Sequence, residues 1–253
     1  MQKVQNNEAL YRKEEEQIFN NLYNAFEKSE LSLAYKLQAF PVWVRRQDFA
    51  YCLAKYEIFK QIVNVNGSIV ECGVFVGSGT MTWLHCSSIL EPYNHTRKII
   101  GFDTFSGFPG IDSKDKETGT SEHLKVGGLE TTASIYDELK NVIKIHDANR
   151  PIGHLGKVEL IKGDACEKIK EYLEENPHLI ISLLYLDFDI YKPTKVAMQI
   201  LYKRVVKGGI MAFDELNCKQ YPGETVAMLE ELDLEKVELK RFPFVTHLSY
   251  FIK

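Results

Sequence analysis

The sequence lacks long apolar runs, an excess of basic residues and paired cysteines. No uninterrupted apolar stretch reaches 18 residues, and the polar beginning MQKVQNNEALYRKEEE has no signal-peptide core, so we expect neither a membrane-spanning nor a secreted protein. Lysine and arginine number 31 against 35 acidic residues, and this balance argues against a general binder of nucleic acid or anionic membranes. The five cysteines form no CxxC pair, which argues against a disulfide scaffold and predicts a cytoplasmic location.

What the chain does contain is enough apolar sequence for one large core, since 45% of its 253 residues are hydrophobic. Residues 5–65 have the spacing of helices, with a break at Pro41 and a second helix predicted over 46–62. The apolar positions that carry this periodicity are Leu10, Ile18, Leu22, Phe26, Leu31, Leu33 and Leu37. We therefore predict an N-terminal helical extension over residues 1–65.

From residue 66 onward, short apolar runs alternate with helical segments. The runs are SIVECGVF, KIIGFD, KVELIKGD, LIISLLYLDFD and GGIMAFDE, and the helices are predicted near 78–90, 165–175, 194–204 and 222–231. This alternation predicts a parallel sheet with helices on both faces. The final stretch EKVELKRFPFVTHLSYFIK holds two strands without a helix between them and predicts a terminal antiparallel hairpin. Residues 66–253 are thus expected to form one α/β domain.

One long interval, residues 106–155, does not fit the alternation. It is rich in glycine and polar residues, and a helix is predicted within it over 131–146. Loops of this length in a compact domain are usually lids or binding elements. We therefore expect a lid over the carboxyl ends of the strands.

Ligands of open parallel sheets bind outside these carboxyl ends, so the residues that follow each strand are the candidates for function. The first strand leads into Glu71-Cys72-Gly73-Val74-Phe75-Val76-Gly77-Ser78-Gly79, whose glycines favour a close backbone approach to a ligand or simply a tight turn. Asp103 ends the second strand, where it suits either a ribose hydroxyl pair or a helix N-cap. Asp164 follows the third strand and suits either an adenine amino group or an N-cap.

Four carboxylates follow the fourth and fifth strands: Asp187, Asp189, Asp214 and Glu215. Converging carboxylates raise each other's pKa unless a cation or strong donors compensate. Oxygen ligands of this kind are those that Mg²⁺ prefers, and a metal site is the favoured interpretation. The structural alternative requires nearby cations, for which the candidates are Lys192, Lys195 and Lys219.

Four segments together resemble the macrocin/mycinamicin-type sugar O-methyltransferases, which depend on S-adenosylmethionine (SAM). These segments are ECGVFVGSGT, GFDTFSGFP, LYLDFDIYKPT and GGIMAFDE, and the resemblance covers about residues 40–253. It implies an α/β class I methyltransferase fold, Rossmann-like, with a mostly parallel seven-stranded sheet and a terminal antiparallel hairpin. It also implies a hydroxyl acceptor on a deoxysugar, either nucleotide-linked or part of a glycosylated natural product, no nucleic-acid or membrane partner, and a homo-oligomer.

The resemblance also assigns roles to individual residues. It implies SAM binding by Glu71, Gly73, Gly77, Asp103, Thr104, Ser106, Asp164 and Asp187. It implies Mg²⁺ ligands at Asp187, Asp214 and Glu215, and a general base at Asp189. The family pattern favours a second Asp where this chain has Glu215, which adds one methylene to that ligand.

The resulting hypothesis is methyl transfer to a sugar hydroxyl that Mg²⁺ acidifies and Asp189 deprotonates. A catechol-type acceptor would use the same metal chemistry, but the polar lid, with Phe108 and Tyr136 as its aromatic residues, favours a sugar. An NAD-dependent sugar-nucleotide oxidoreductase would share the glycine turn and Asp103, yet the GxGxxG motif is missing and the four carboxylates stay unexplained. A non-catalytic nucleotide-binding module would need neither base nor metal.

Overall fold

The computed structural model describes residues 13–253. Its described part forms two compact units that divide between Leu53 and Ala54, inside the third helix. The predicted apolar position Leu10 lies outside the described residues. The division into domains at 65/66 follows the change from helices to strands and stays a prediction.

The first unit is helical. Its helices are α1 Lys13–Lys28, α2 Leu33–Gln38 and the start of α3 Arg46–Ile62, with a 3-10 turn at Phe40–Val42. The predicted break at Pro41 falls in that turn, and the helix expected over 46–62 is confirmed. On α1, Phe19 is buried and the predicted apolar positions Leu22 and Phe26 are partly buried, whereas the predicted position Ile18 is 60% exposed.

The second unit contains a seven-stranded sheet. Its strands are β1 Ser68–Cys72, β2 Ile99–Asp103, β3 Val158–Lys162, β4 Ile181–Leu186, β5 Val205–Phe213, β6 Lys240–Phe242 and β7 Val245–Ile252. They lie in the order β3-β2-β1-β4-β5-β7-β6, with β1 to β5 parallel and β7 antiparallel to both β5 and β6. The predicted parallel sheet and terminal hairpin are therefore confirmed.

The helices of this unit connect the strands. They are α4 Ser78–Leu90, α5 Ser113–Lys116, α6 Ile135–Asn149, α7 Ala165–Glu175, α8 Tyr191–Leu201 and α9 Pro222–Glu231, with a 3-10 turn at Tyr202–Arg204. Helix α8 begins three residues before the predicted 194, because Pro193 is accommodated in a first turn, where its missing N–H costs nothing.

The central strands determine where the candidate active site lies. Every residue of β1 and β4 is buried, which explains their continuous apolar character. Glu71 pairs in register with Tyr185, and Tyr185 with Ala212. Beyond the strands, the Asp187 N–H donates to Cys72 O at 2.7 Å and the Asp214 N–H to Leu186 O at 3.0 Å. The segments that follow β1, β4 and β5 are thereby held side by side.

The predicted lid, residues 106–155, is not structureless. Its second half forms α6, the crossover helix between β2 and β3, which packs Leu139 against Val74 and Phe105. The part of the lid that precedes α6, residues 106–134, which we call the insertion, contains α5. Asp115 of α5 is fully buried and accepts N–H bonds from Tyr191 at 2.7 Å and Asp112 at 2.9 Å. The insertion is thus anchored at the start of α8.

Candidate active site

The structure brings the four predicted carboxylates together where β4 and β5 end. Burial raises the pKa of Asp187 well above its usual range, and the charges of Asp214 and Asp189 raise it further. Burial also raises the pKa values of Asp189 and Asp214, and the charge of Glu215 adds to both. Such mutual effects require proximity, so these side chains form one cluster of high negative potential.

Asp189 reaches this cluster by an unusual backbone conformation. Its φ of 63° lies in the left-handed region, which aspartate tolerates better than most residues. This turn lies between the end of β4 and the first residue of α8, and the charges of Glu215 and Asp214 raise the pKa of Asp189. The predicted base therefore lies beside two of the predicted metal ligands.

A fifth carboxylate, Glu224, was not predicted. It lies in the first turn of α9 and is fully buried. Its Oε1 accepts the Glu215 N–H at 3.0 Å, while its Oε2 has no hydrogen-bond partner among the described residues. Burial raises its pKa well above the usual range. Glu224 thus holds the backbone of Glu215 and presents a second oxygen to a site rich in carboxylates.

The counter-charge comes from Lys55 of α3, which the sequence did not single out. Its buried Nζ donates to Tyr185 Oη at 2.9 Å, and the Tyr185 hydroxyl donates to Asp214. Lys55 lowers the pKa values of Asp187, Asp214 and Glu71. This buried cation therefore offsets part of the negative potential at the site.

The three lysines suggested by the sequence take other positions. Lys195 pairs with Glu230 at 2.6 Å, while Lys192 and Lys219 are exposed. Their nearness in sequence to the carboxylates was misleading, because Lys192 and Lys195 lie on the outer side of α8 and Lys219 is exposed in the loop before α9.

Glu71 is 1% exposed beneath the glycine turn. Thr80 donates its hydroxyl to Oε2 and Trp83 its indole N–H to Oε1 at 3.0 Å. Burial raises the pKa of Glu71 to about 7. A Cβ on Gly79 would lie 2.0 Å from Glu71 Oε1, so only glycine leaves room for this carboxyl.

Two other positions of the turn favour glycine, Gly73 because of a close approach and Gly77 because of its backbone conformation. Gly73 has a φ of +103°, and a Cβ there would lie 1.9 Å from Asp187 O. Gly77 begins α4 with a φ of 85°, in a conformation that favours glycine. The glycine turn is therefore packed directly against the segment that carries Asp187.

Asp103 fastens this turn to the end of β2. Its Oδ2 accepts the N–H groups of Val74 at 2.7 Å and Phe75 at 2.8 Å, and its Oδ1 accepts that of Phe105 at 2.6 Å. Asp103 therefore organises both loops, which differs from the N-cap expected as the alternative. Its predicted contact with ribose stays a prediction.

The other predicted cofactor residues have local roles. Thr104 donates its hydroxyl to Gly107 O at 2.6 Å and Ser106 is exposed. Asp164 caps α7 by accepting the Cys166 N–H at 2.9 Å, which confirms the capping alternative. Contact of these residues with SAM stays a prediction.

A sheet of this order, with its glycine turn after β1 and its acid after β2, defines a class I methyltransferase. The family model for macrocin O-methyltransferase (TylF) matches residues 45–234, and the chain belongs to this family. It is accordingly a SAM-dependent O-methyltransferase. The resemblance, the fold class and the enzyme class inferred from the sequence are confirmed.

Solved structures agree with this assignment. The calicheamicin methyltransferase CalS11 is 30% identical, with a TM-score of 0.92 over 100% of this chain and 98% of that one. An apo structure of CalS11, described as a TDP-rhamnose 3'-O-methyltransferase, is 29% identical, with a TM-score of 0.83 over 98% of this chain and 99% of that one. The O-methyltransferase NovP, 18% identical over 81% of this chain and 79% of that one, shares the fold with a TM-score of 0.57. A comparison with curated protein sequences gives no significant match.

Among the described residues, no helix is both long enough and apolar enough to span a membrane.

Proposed function

We propose that this enzyme transfers the methyl group of SAM to a hydroxyl of a deoxysugar, with the help of Mg²⁺. The observation that carries the proposal is the cluster of Asp187, Asp189, Asp214 and Glu215 in a chain of this family. The relative described as a TDP-rhamnose methyltransferase supports a nucleotide-linked sugar, and a finished glycoside is the other acceptor of this class.

The donor set fits Mg²⁺. Asp187, Asp214 and Glu215 offer hard oxygen ligands, and burial leaves the first two with raised pKa values that a dication would reverse. The Oε2 atom of Glu224, which has no hydrogen-bond partner among the described residues, is a further carboxylate oxygen beside Glu215 that a cation would stabilise. When bound, SAM would supply the methyl group, and Mg²⁺ would lower the pKa of the acceptor hydroxyl.

The chain's own residues perform the remaining tasks. Asp189 would accept the proton of the acceptor hydroxyl. The oxygen would then form a bond to the methyl carbon while the carbon–sulfur bond of SAM breaks, and its electron pair would leave with S-adenosylhomocysteine. Gly73 and Gly77 would let the turn approach SAM closely, and Glu71 would lie on the methionine side of the cofactor. Holding the oxygen, carbon and sulfur in line contributes a large orientation effect.

The insertion supports a sugar over a catechol. Phe108 is buried in a small apolar cluster with Ile190 and Tyr221, and Tyr136 of α6 packs on Phe105 with ring centroids 5.1 Å apart. These aromatic rings are used for packing, whereas catechol binding would favour free aromatic faces. The insertion would close over both ligands and exclude water.

The base is tested with Asp189→Asn. We expect turnover with a panel of nucleotide-deoxysugars to fall at least ~100-fold, while S-adenosylhomocysteine binding by calorimetry is nearly unchanged. Asp233→Asn, an exposed aspartate in an ion pair with Lys236, is the control. Unchanged turnover in Asp189→Asn would remove this residue from the mechanism.

The cofactor and metal are tested on the wild type. S-adenosylhomocysteine should bind and NAD should not, and EDTA should abolish turnover until Mg²⁺ is restored. Full activity in EDTA would refute the metal role.

We further propose that the enzyme is a homo-oligomer and that it is cytoplasmic. Light scattering would test the oligomeric state, and cell fractionation would test the location.

A further inference from the structure

Three side chains of different chemistry meet beside the carboxylate cluster. They are Glu215 after β5, Cys218 in the loop that follows, and His247 on β7. One potential ligand atom from each lies within 4.8 Å of the others, and His247 Nδ1 lies 3.1 Å from Glu215 Oε2. Glu215 and Cys218 are buried, and His247 is partly exposed, so the group is both enclosed and reachable.

We propose that Glu215, Cys218 and His247 form a site for a divalent transition metal such as Zn²⁺, distinct in its ligands from the Mg²⁺ site. Only Glu215 belongs to both. An ion bound here would take the Glu215 carboxylate and so inhibit methyl transfer.

The donor types carry this assignment. A thiolate and an imidazole favour Zn²⁺, whereas Mg²⁺ keeps to oxygen ligands. Three protein ligands of mixed type leave a fourth tetrahedral position for water, as in many zinc sites. Asp189 and Asp214 lie close enough to Glu215 for their charges to interact, and this negative surrounding would retain a dication.

The distances require only a small contraction. Zinc bonds of about 2.0–2.3 Å in a tetrahedron separate ligand atoms by about 3.3–3.8 Å. The Glu215–His247 contact of 3.1 Å is already that short. The upper limit of 4.8 Å for the cluster exceeds the required spacing by about 1 Å, which side-chain rotations can supply.

Binding is tested without any assay of methyl transfer. EDTA-treated wild-type protein, kept reduced, is titrated with Co²⁺, and we expect a cobalt–thiolate charge-transfer band that saturates at one equivalent and is displaced by Zn²⁺. Cys218→Ser should abolish the band and weaken Zn²⁺ binding at least about 100-fold. Substitutions of residues that merely support metal ligands weaken binding by up to about 100-fold, and loss of a ligand itself should cost at least as much. His247→Gln should weaken binding too.

The matched control is Cys52→Ser, which changes a half-buried cysteine of α3 and should leave the band intact. Thermal melting of each variant verifies that it is folded. Absence of a thiolate band in the wild type, or its persistence in Cys218→Ser, would overturn the proposed site.

The inhibitory consequence rests on the proposed function and is tested separately. With Mg²⁺ present, added Zn²⁺ should inhibit the wild type, while Cys218→Ser keeps its basal activity and resists Zn²⁺. Equal inhibition of both would refute inhibition through this site. A wild type that shows the cobalt band but transfers no methyl group to any sugar would retain the site and refute the proposed function.

Discussion

Glu71→Gln should make the protein's stability less dependent on pH. Burial raises the pKa of Glu71 to about 7, from 4.5 for an ordinary glutamate. A carboxyl with a higher pKa in the folded state keeps its proton there, so folding becomes less favourable as the pH rises from about 4.5 to about 7. At about 1.4 kcal/mol per unit, the loss amounts to about 3 kcal/mol.

The substitution suits the local geometry. A glutamine keeps Oε1 as acceptor of the Trp83 N–H, while its amide nitrogen faces Thr80, whose hydroxyl can turn from donor to acceptor. Glutamine carries no charge at any pH in this range. The variant is therefore free of the loss of stability that ionisation of Glu71 causes at neutral pH, and the substitution leaves no cavity.

The assay is urea unfolding at half-unit steps from pH 4.5 to 8, in EDTA. We compare the free energy of unfolding of the wild type with that of Glu71→Gln, because the contributions of the other buried acids cancel in the difference. As the pH rises, the free energy of unfolding of the variant should increase by about 3 kcal/mol relative to that of the wild type. Glu122→Gln, which changes a side chain that is 68% exposed, is the control. Parallel curves for wild type and Glu71→Gln would refute the reasoning.

Three further substitutions probe the frame of the site. Lys55→Met should lower the free energy of unfolding by about 3–5 kcal/mol, measured in urea, because it leaves buried carboxylates without their cation; a loss under 1 kcal/mol would contradict this. Gly73→Ala should lower the free energy of unfolding by more than about 2 kcal/mol, because its positive φ is strained and its Cβ would meet Asp187 O. Gly110→Ala should be neutral in the same assay, because a Cβ there would have no atom of the described residues within 4 Å. Asp115→Ala should cost about 1–2 kcal/mol and speed proteolysis within the insertion; equal cleavage rates would show that this anchor is dispensable.

The sheet and the carboxylate cluster were predictable for a physical reason. Parallel strands place their carboxyl ends at one edge, so acids that follow apolar runs are expected at that edge. The proximity of Asp187 and Asp214 could therefore be predicted without knowledge of the tertiary structure. The hairpin was predictable as well, because no helix separates its two runs.

Lys55 and Glu224 could not be predicted in this way. Both lie on helices, and their burial depends on how α3 and α9 pack rather than on local sequence. An isolated lysine in a helical pattern normally indicates a solvated face, and nothing near Lys55 in the sequence marks its contact with Tyr185. Cys218 and His247 are likewise brought near each other by the pairing of β5 with β7, which the local sequence does not reveal.

Asp115 gives the insertion a mechanical link to the reacting groups. Its carboxylate holds the first N–H of α8, only two residues beyond Asp189, and Gly223 of α9 is so close that a Cβ there would lie 1.9 Å from Asp115 Oδ1. The insertion, the start of α8 and the start of α9 therefore lie against one another at this oxygen atom. If the insertion swings away at α5, the backbone next to Asp189 loses its restraint at the same moment. Admission of the acceptor and alignment of the base would then be two phases of a single motion.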